Sequence, residues 1–176
     1  KADVEAVSAL VLDYDDGTPV PYLDVAATAA GPDFWSGRGL GSGFGFVAVD
    51  PRFAVNGRFY TAHSEAFTAL TTKTPDFTQP NAVIHSVVTE WTANDPSANT
   101  FEGARREILR VGFGSFIHAI QQISFNPTAR PGDEDFGLLY LAVGDGGLGQ
   151  SPTNIDPQDL ATVFGKILRI DPRGTD

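Results

Sequence analysis

The sequence contains no cysteine and no methionine. Without cysteine, a disulfide framework, a thiolate metal centre and a cysteine nucleophile are all excluded. Histidine occurs only at His63, His85 and His118, so a zinc site would have to be built from those three and carboxylates. Positive charge is also short. Twelve Lys and Arg stand against 22 Asp and Glu, a net charge of −10 that repels nucleic acid and anionic membranes and favours neutral or cationic small partners. No apolar run approaches the roughly 20 residues that span a bilayer, so no membrane insertion is expected. A chain that starts at Lys1 without a leader and holds no methionine fits a mature or a trimmed product; secretion and simple truncation both account for it, and a periplasmic or extracellular location is the expectation. Helical periodicity is nearly absent as well: residues 159–164 could form one helical turn and no more.

What is present is an ordinary globular composition, 41% hydrophobic and 19% charged over 176 residues, enough for one domain with a buried core. Short β-prone runs alternate with turn signals. Residues 7–13 and 20–25 flank Asp15-Asp16-Gly17 and read as a hairpin. Asp13, Asp15 and Asp16 invite calcium, but the regular ligand spacing and the closing glutamate of a calcium loop are missing. Residues 26–43 are rich in Gly, Ala, Ser and Pro and read as a loop in which Phe34 and Trp35 cap the core. Strands are then expected at 44–49, 58–62, 83–91 and 106–111, forming one antiparallel sheet.

After Gly112 the order restarts. Val47-Ala48-Val49-Asp50-Pro51 is matched by Ile123-Ser124-Phe125-Asn126-Pro127, and Gly57-Arg58-Phe59-Tyr60-Thr61-Ala62 by Gly137-Leu138-Leu139-Tyr140-Leu141-Ala142. The offsets are 127 − 51 = 76 and 137 − 57 = 80, a long repeat that drifts by a loop insertion at 128–136. Asp133, Glu134 and Asp135 in that insertion read as a solvated loop. Strands at 138–143 and 166–170 complete the second unit. Recurrent four-stranded units imply an all-β fold, a β-propeller; a β-sandwich is the competitor. About two four-stranded antiparallel blades and part of another are present, fewer than closure requires. The expected division is a single incomplete propeller domain, 1–176, with a partial blade at 1–40 and blades at 41–112 and 113–176.

Chemistry is suggested where the strand at 138–143 ends in Gly144-Asp145-Gly146-Gly147. Asp145 fits either the polar corner of a hairpin turn or a carboxylate aimed into a cleft.

Three stretches resemble the soluble glucose and sorbosone dehydrogenases that depend on pyrroloquinoline quinone (PQQ), a family of six-bladed β-propellers. They are residues 43–53 with Asn56-Gly57-Arg58-Phe59-Tyr60; His118 with Ile123, Phe125, Pro127, Leu139-Tyr140 and Gly144-Asp145-Gly146-Gly147; and Asp159-Leu160 with residues 165–172. The resemblance implies the N-terminal part of such an enzyme, with PQQ and calcium as cofactors, a sugar as substrate and an external electron acceptor. His118 matches the general base for the anomeric hydroxyl, and Asp145 the carboxylate that orients it. No metal ligand is assigned in this chain, most quinone contacts are expected beyond Asp176, and the remaining blades are expected there or from another chain. Imidazole suits the role of base, since its ordinary pKa near 6.5 lets it accept a proton at neutral pH and a carboxylate on its far nitrogen fixes the tautomer.

The sequence also departs from the family. Ala119-Ile120-Gln121 replaces a polar, glycine-rich run, with Gln122 as the polar residue before the strand, and Ile120 has the bulk to crowd a cofactor. Gly41 stands where a glutamine commonly meets the quinone. These changes admit a second reading, a non-catalytic propeller that binds a partner; the acidic loops admit a third, an extracellular calcium-binding structural element. His63 and His85 are expected to be surface or sheet residues.

Overall fold

The computed structural model describes residues 9–13, 19–37, 40–147 and 157–174. Strand β1 (Ala9–Asp13) pairs antiparallel with β2 (Pro19–Asp24) as a separate two-stranded hairpin. The turn between them, with Asp15 and Asp16, lies outside the described residues. The main sheet is built from β3 (Phe44–Val49), β4 (Arg58–Glu65), β5 (Phe77–Thr78), β6 (Ile84–Ala93) and β7 (Gly103–Phe113). Its order is β3-β4-β6-β7-β5, antiparallel except for the short parallel β5 at the outer edge. A third sheet follows, β8 (Ile120–Phe125), β9 (Leu139–Val143) and β10 (Lys166–Ile170), antiparallel in the order β10-β9-β8. The fold is part of a β-propeller, as its repeats suggested. Its second unit has three described strands instead of four.

The internal repeat is reproduced residue by residue. Val49, Ala48, Val47 and Phe46 pair with Phe59, Tyr60, Thr61 and Ala62; 76 to 80 positions later Phe125, Ser124, Ile123 and Gln122 pair with Leu139, Tyr140, Leu141 and Ala142. Both inner strands also slip register once, between Phe44 and Phe46 and between Ile120 and Gln122. Each slip marks a bulge, which frees one residue from the ladder and redirects the chain.

The turn motif shared by the two units has a structural cause. The Asp50 carboxylate, nearly buried, accepts hydrogen bonds from the Arg52 N–H at 2.7 Å and the Asn56 amide at 3.0 Å, closing the short helix α1 (Phe53–Asn56) between β3 and β4. Asn126 plays the same part in the second unit, accepting from the Thr128 N–H at 3.0 Å. Its amide also donates to Asp135, which bonds Arg169 at 3.1 Å. Asp135 is therefore an anchor, a correction to the solvated-loop expectation; Glu134 stays exposed.

The core lies between the two sheets. Tyr60, Ile84, Val88 and Phe113 from the first pack with Ile120, Ile123, Leu139, Leu141 and Phe164 from the second, all buried. Tyr60 carries its hydroxyl inside because it donates to the Glu90 carboxylate at 2.7 Å. Burial, then that carboxylate, push the phenol far above its usual range and keep it a neutral donor. Residues 159–164, read as a helical turn, form hydrogen-bonded turns without a helix. Sequence reading also missed a π-helical turn at Ala26–Ala30, a 3₁₀ turn at Gly31–Asp33 and the four-residue helix α2 (Ala69–Thr72), all too short for periodicity to register.

The opposite face of the first sheet carries an aromatic cluster of Tyr22, Phe59, Trp91 and Phe101, with Phe101 edge-on to each of the other three. Beside it runs a buried polar network. His63 and His85 belong to the sheet, but they are 1% and 2% exposed, so neither is at the surface. Arg110, 1% exposed, donates through Nη1 to Glu65 at 2.7 Å and through Nε and Nη2 to Glu107, both at 2.7 Å. His63 Nε2 lies 3.1 Å from Glu65. Polar side chains can enter the sheet because each charge meets an opposite one.

Candidate active site

His118 sits on the loop between β7 and β8, and Asp145 on the turn after β9, so each comes from the end of a strand segment in the second half of the chain. The loop is pinned from several directions. The His118 N–H donates to the Leu40 carbonyl at 2.7 Å, and the Ala119 N–H to that of Gly41 at 2.9 Å, tying the loop to the segment ahead of β3. On the other side the Gly146 N–H donates to the His118 carbonyl at 3.1 Å. These bonds hold His118 at φ 55°, the left-handed region that a non-glycine residue enters only at a cost.

The side chains meet. His118 Nδ1 donates to Asp145 Oδ1 at 2.8 Å, and the same oxygen accepts the Gly147 N–H at 2.8 Å. Asp145 is thus both the corner of its turn and the histidine's partner, so the two readings of Gly-Asp-Gly-Gly are one structure. The His118 side chain is 44% exposed and that of Asp145 23% exposed, so the imidazole edge faces solvent while its carboxylate is drawn back. With Nδ1–H committed to the carboxylate, the neutral ring presents a bare lone pair on Nε2, and no described protein group bonds that atom. Such a pair can take a proton from a hydroxyl brought to it.

Gly144 is required by close approach: a Cβ there would collide with the His118 carbonyl oxygen. Gly144→Ala is expected to destabilise the fold by about 1–3 kcal/mol and to displace the histidine loop, measurable as a lower urea midpoint with a shifted His118 imidazole signal in NMR. An unchanged midpoint and signal would contradict the packing described.

Ile120 is 1% exposed and packed in the inter-sheet core, so its bulk does not crowd the space at His118; that expectation is corrected. A bulge in β8 falls here, at Gln121, whose side chain lies against Gly41. Gly41, at φ 84°, lies against both the Gln121 side chain and the His118 backbone, where a Cβ would meet atoms 3.1–3.4 Å away. A glutamine at position 41 would be strained here. Trp35, expected as a core cap, does pack against the core and stacks on Phe116 at 4.4 Å between ring centroids, two residues before His118. Among the described residues, no group of three or more His, Cys, Asp or Glu gathers into a metal site, and no helix is long and apolar enough to cross a membrane.

No family model matches the sequence. A curated relative, the HIPL1 protein of Arabidopsis thaliana, is 28% identical over 148 residues, covering 71% of this chain and 20% of the relative. Among solved structures, the PQQ-bound aldose sugar dehydrogenase of Streptomyces coelicolor superposes with a TM-score of 0.60 at 21% identity, over 94% of this chain and 39% of that one. A putative oxidoreductase described as a glucose dehydrogenase, from Thermus thermophilus, gives 0.60 at 19% identity, over 95% and 38%. The soluble aldose sugar dehydrogenase of Escherichia coli, in its apo-form, gives 0.54 at 17% identity, over 94% and 38%. The chain therefore spans about a fifth of the curated relative and under two fifths of each solved enzyme, and in fold it is part of the β-propeller that these dehydrogenases share.

Proposed function

We propose that this chain carries the proton-accepting side of the active site of a PQQ-dependent dehydrogenase that oxidises aldose sugars at the anomeric carbon. The observation that carries the reading is the His118–Asp145 pair, at 2.8 Å, with the imidazole edge open to solvent on the propeller fold of sugar dehydrogenases. His118 Nε2 would take the proton of the anomeric hydroxyl as C1 loses hydride, and Asp145 would stabilise the imidazolium that results. When bound, PQQ supplies the two-electron acceptor for that hydride. The residues present fit it in part: the His118 imidazole edge is open to solvent, whereas the Gln121 amide donates to the Ile120 carbonyl at 3.3 Å and Gly41 offers no side chain. Calcium and further quinone contacts belong, on this reading, to parts of the whole protein outside this chain, as do the blades that close the propeller. An external acceptor would reoxidise the cofactor, and export to the periplasm or cell exterior would bring enzyme and sugar together.

The test is to load the whole protein with PQQ and calcium and follow dye reduction with a panel of aldoses. Neither quinone binding nor turnover from an intact propeller would sink the enzyme reading and leave the binding-module reading standing. Asp145→Asn is expected to slow turnover at least ~10-fold while leaving quinone affinity nearly unchanged, because it disturbs the base without touching the acceptor. A large loss of quinone affinity would contradict the role given to Asp145.

A further inference from the structure

Gln79 follows β5 at the edge of the first sheet, yet its side chain ends at the dyad's backbone. Its own N–H donates to the Gly112 carbonyl at 3.0 Å, and its carbonyl accepts the Thr78 hydroxyl at 2.9 Å, so the residue is fixed just after β5. The side chain is buried, 1% exposed. Its Nε2 donates to the Asp145 carbonyl at 3.0 Å, and its Oε1 accepts the Gly114 N–H at 3.0 Å. Gly114 opens the loop that carries His118, and Asp145 begins the turn that carries the carboxylate. One amide therefore ties both halves of the dyad together, across the seam between the two sheets. The chemistry fits glutamine closely. A donor is needed at one end and an acceptor at the other: a glutamate would set an oxygen lone pair against the Asp145 carbonyl, and a leucine would remove both of these bonds. The turn is shaped around it, since a Cβ on Gly146 would strike Gln79 Oε1.

We infer that Gln79 is a positioning residue for the His118–Asp145 pair, holding the carboxylate turn and the histidine loop in register across the inter-sheet seam. The inference rests on the reading of that pair as base and orienter. A residue that only sealed the seam would cost stability when replaced and leave the pair's geometry alone. A positioning residue would change kcat more than KM, because small displacements of a reacting group cost rate far out of proportion to binding.

The experiment compares Gln79→Leu, Gln79→Glu and, as a stability control, Thr61→Val in the whole protein. Thr61 accepts the Trp91 indole at 2.9 Å on the opposite face of the first sheet. Three quantities are read: kcat and KM for an aldose, the urea midpoint, and the downfield NMR resonance of the His118 Nδ1 proton. Gln79→Leu is expected to lower kcat about 10- to 100-fold with little change in KM, and to broaden or abolish the resonance. Thr61→Val should lower the midpoint and do neither. Gln79→Glu keeps the acceptor for Gly114, so its deficit should be smaller. The ratio of its kcat to wild type should rise as pH falls, because a protonated carboxyl can again donate to the Asp145 carbonyl. Should Gln79→Leu fail to fold, the Gln79→Glu ratio and resonance decide the matter. A resonance and kcat that survive in both Gln79 variants, with only the midpoint lowered, would overturn the inference. If the wild-type protein proves inactive, loss of the resonance in Gln79→Leu alone still upholds the positioning role while the enzyme reading falls.

Discussion

Replacing His118 with alanine is expected to lower aldose oxidation by the whole protein about 10²- to 10⁴-fold, the usual contribution of a well-placed base. Structure and stability should change little, since the imidazole is 44% exposed and its one side-chain bond, to Asp145, lies at the surface. Surface substitutions of that kind usually shift stability by less than about 0.5 kcal/mol, with some additional cost because alanine must keep the left-handed φ of 55°. The loss should therefore appear in kcat with the propeller folded and quinone still bound. Free imidazole added to the variant should restore part of the rate, because the space vacated opens to solvent and the Asp145 carboxylate remains to orient it. A deficit below about threefold would mean that His118 is not the base. Loss of quinone binding, with folding intact, would instead mean that the imidazole serves the cofactor.

The pairing of His118 with Asp145 was legible only through the resemblance to the quinone-dependent dehydrogenases; residue patterning alone left Asp145 open between a turn corner and a carboxylate in a cleft, and the 2.8 Å contact bears out the pairing. The propeller units were legible in the residues themselves: Val47 to Pro51 and Ile123 to Pro127 repeat both side-chain size and turn chemistry, and the pairing register follows from that. What stayed hidden depends on contacts between distant residues. Gln79 stands 66 positions from Asp145, in a polar segment with no periodicity, so nothing local marks it. The inward position of Ile120 was hidden because a bulge adds one residue to β8, and sequence alternation cannot locate it. The buried histidines escaped for a third reason. Strand β6 runs Ile-His-Ser-Val-Val-Thr-Glu-Trp, which suggests a half-exposed strand, whereas tertiary partners such as Arg110 make both of its faces interior.

Removing Arg110 should be costly, about 3–5 kcal/mol for Arg110→Ala, because the buried Glu65 carboxylate and the space of a buried guanidinium are left behind, while Glu107, half-exposed, can turn to water. The pH dependence identifies the cause. Burial alone would push Glu65 up, but hydrogen bonds from His63 and Arg110, and the charge of Arg110, outweigh it and bring the carboxyl from its ordinary 4.5 down to about 2. A carboxyl depressed on folding stabilises the fold fully above its unfolded pKa and ceases to do so as pH falls through the folded one. Roughly 3 kcal/mol should therefore disappear between about pH 4.5 and 2. His85 acts in the same direction at milder pH: burial, then the Arg110 charge, lower its pKa below the ordinary 6.5, so the unfolded chain takes up that proton first and stability begins to decline below 6.5. Glu107 and Asp33, which line the same polar cavity, keep a partner each in Arg110 and Thr68. In Arg110→Ala, burial is left to dominate Glu65 with only His63 opposing it, and the acid-side slope should flatten or reverse. Urea unfolding from pH 7 to pH 3 measures this directly: wild type should lose stability steadily on acidification, Glu65→Gln should lose less, and Arg110→Ala should start lower and change least. A wild-type profile flat across that range would show that Glu65 is not held by Arg110 in solution.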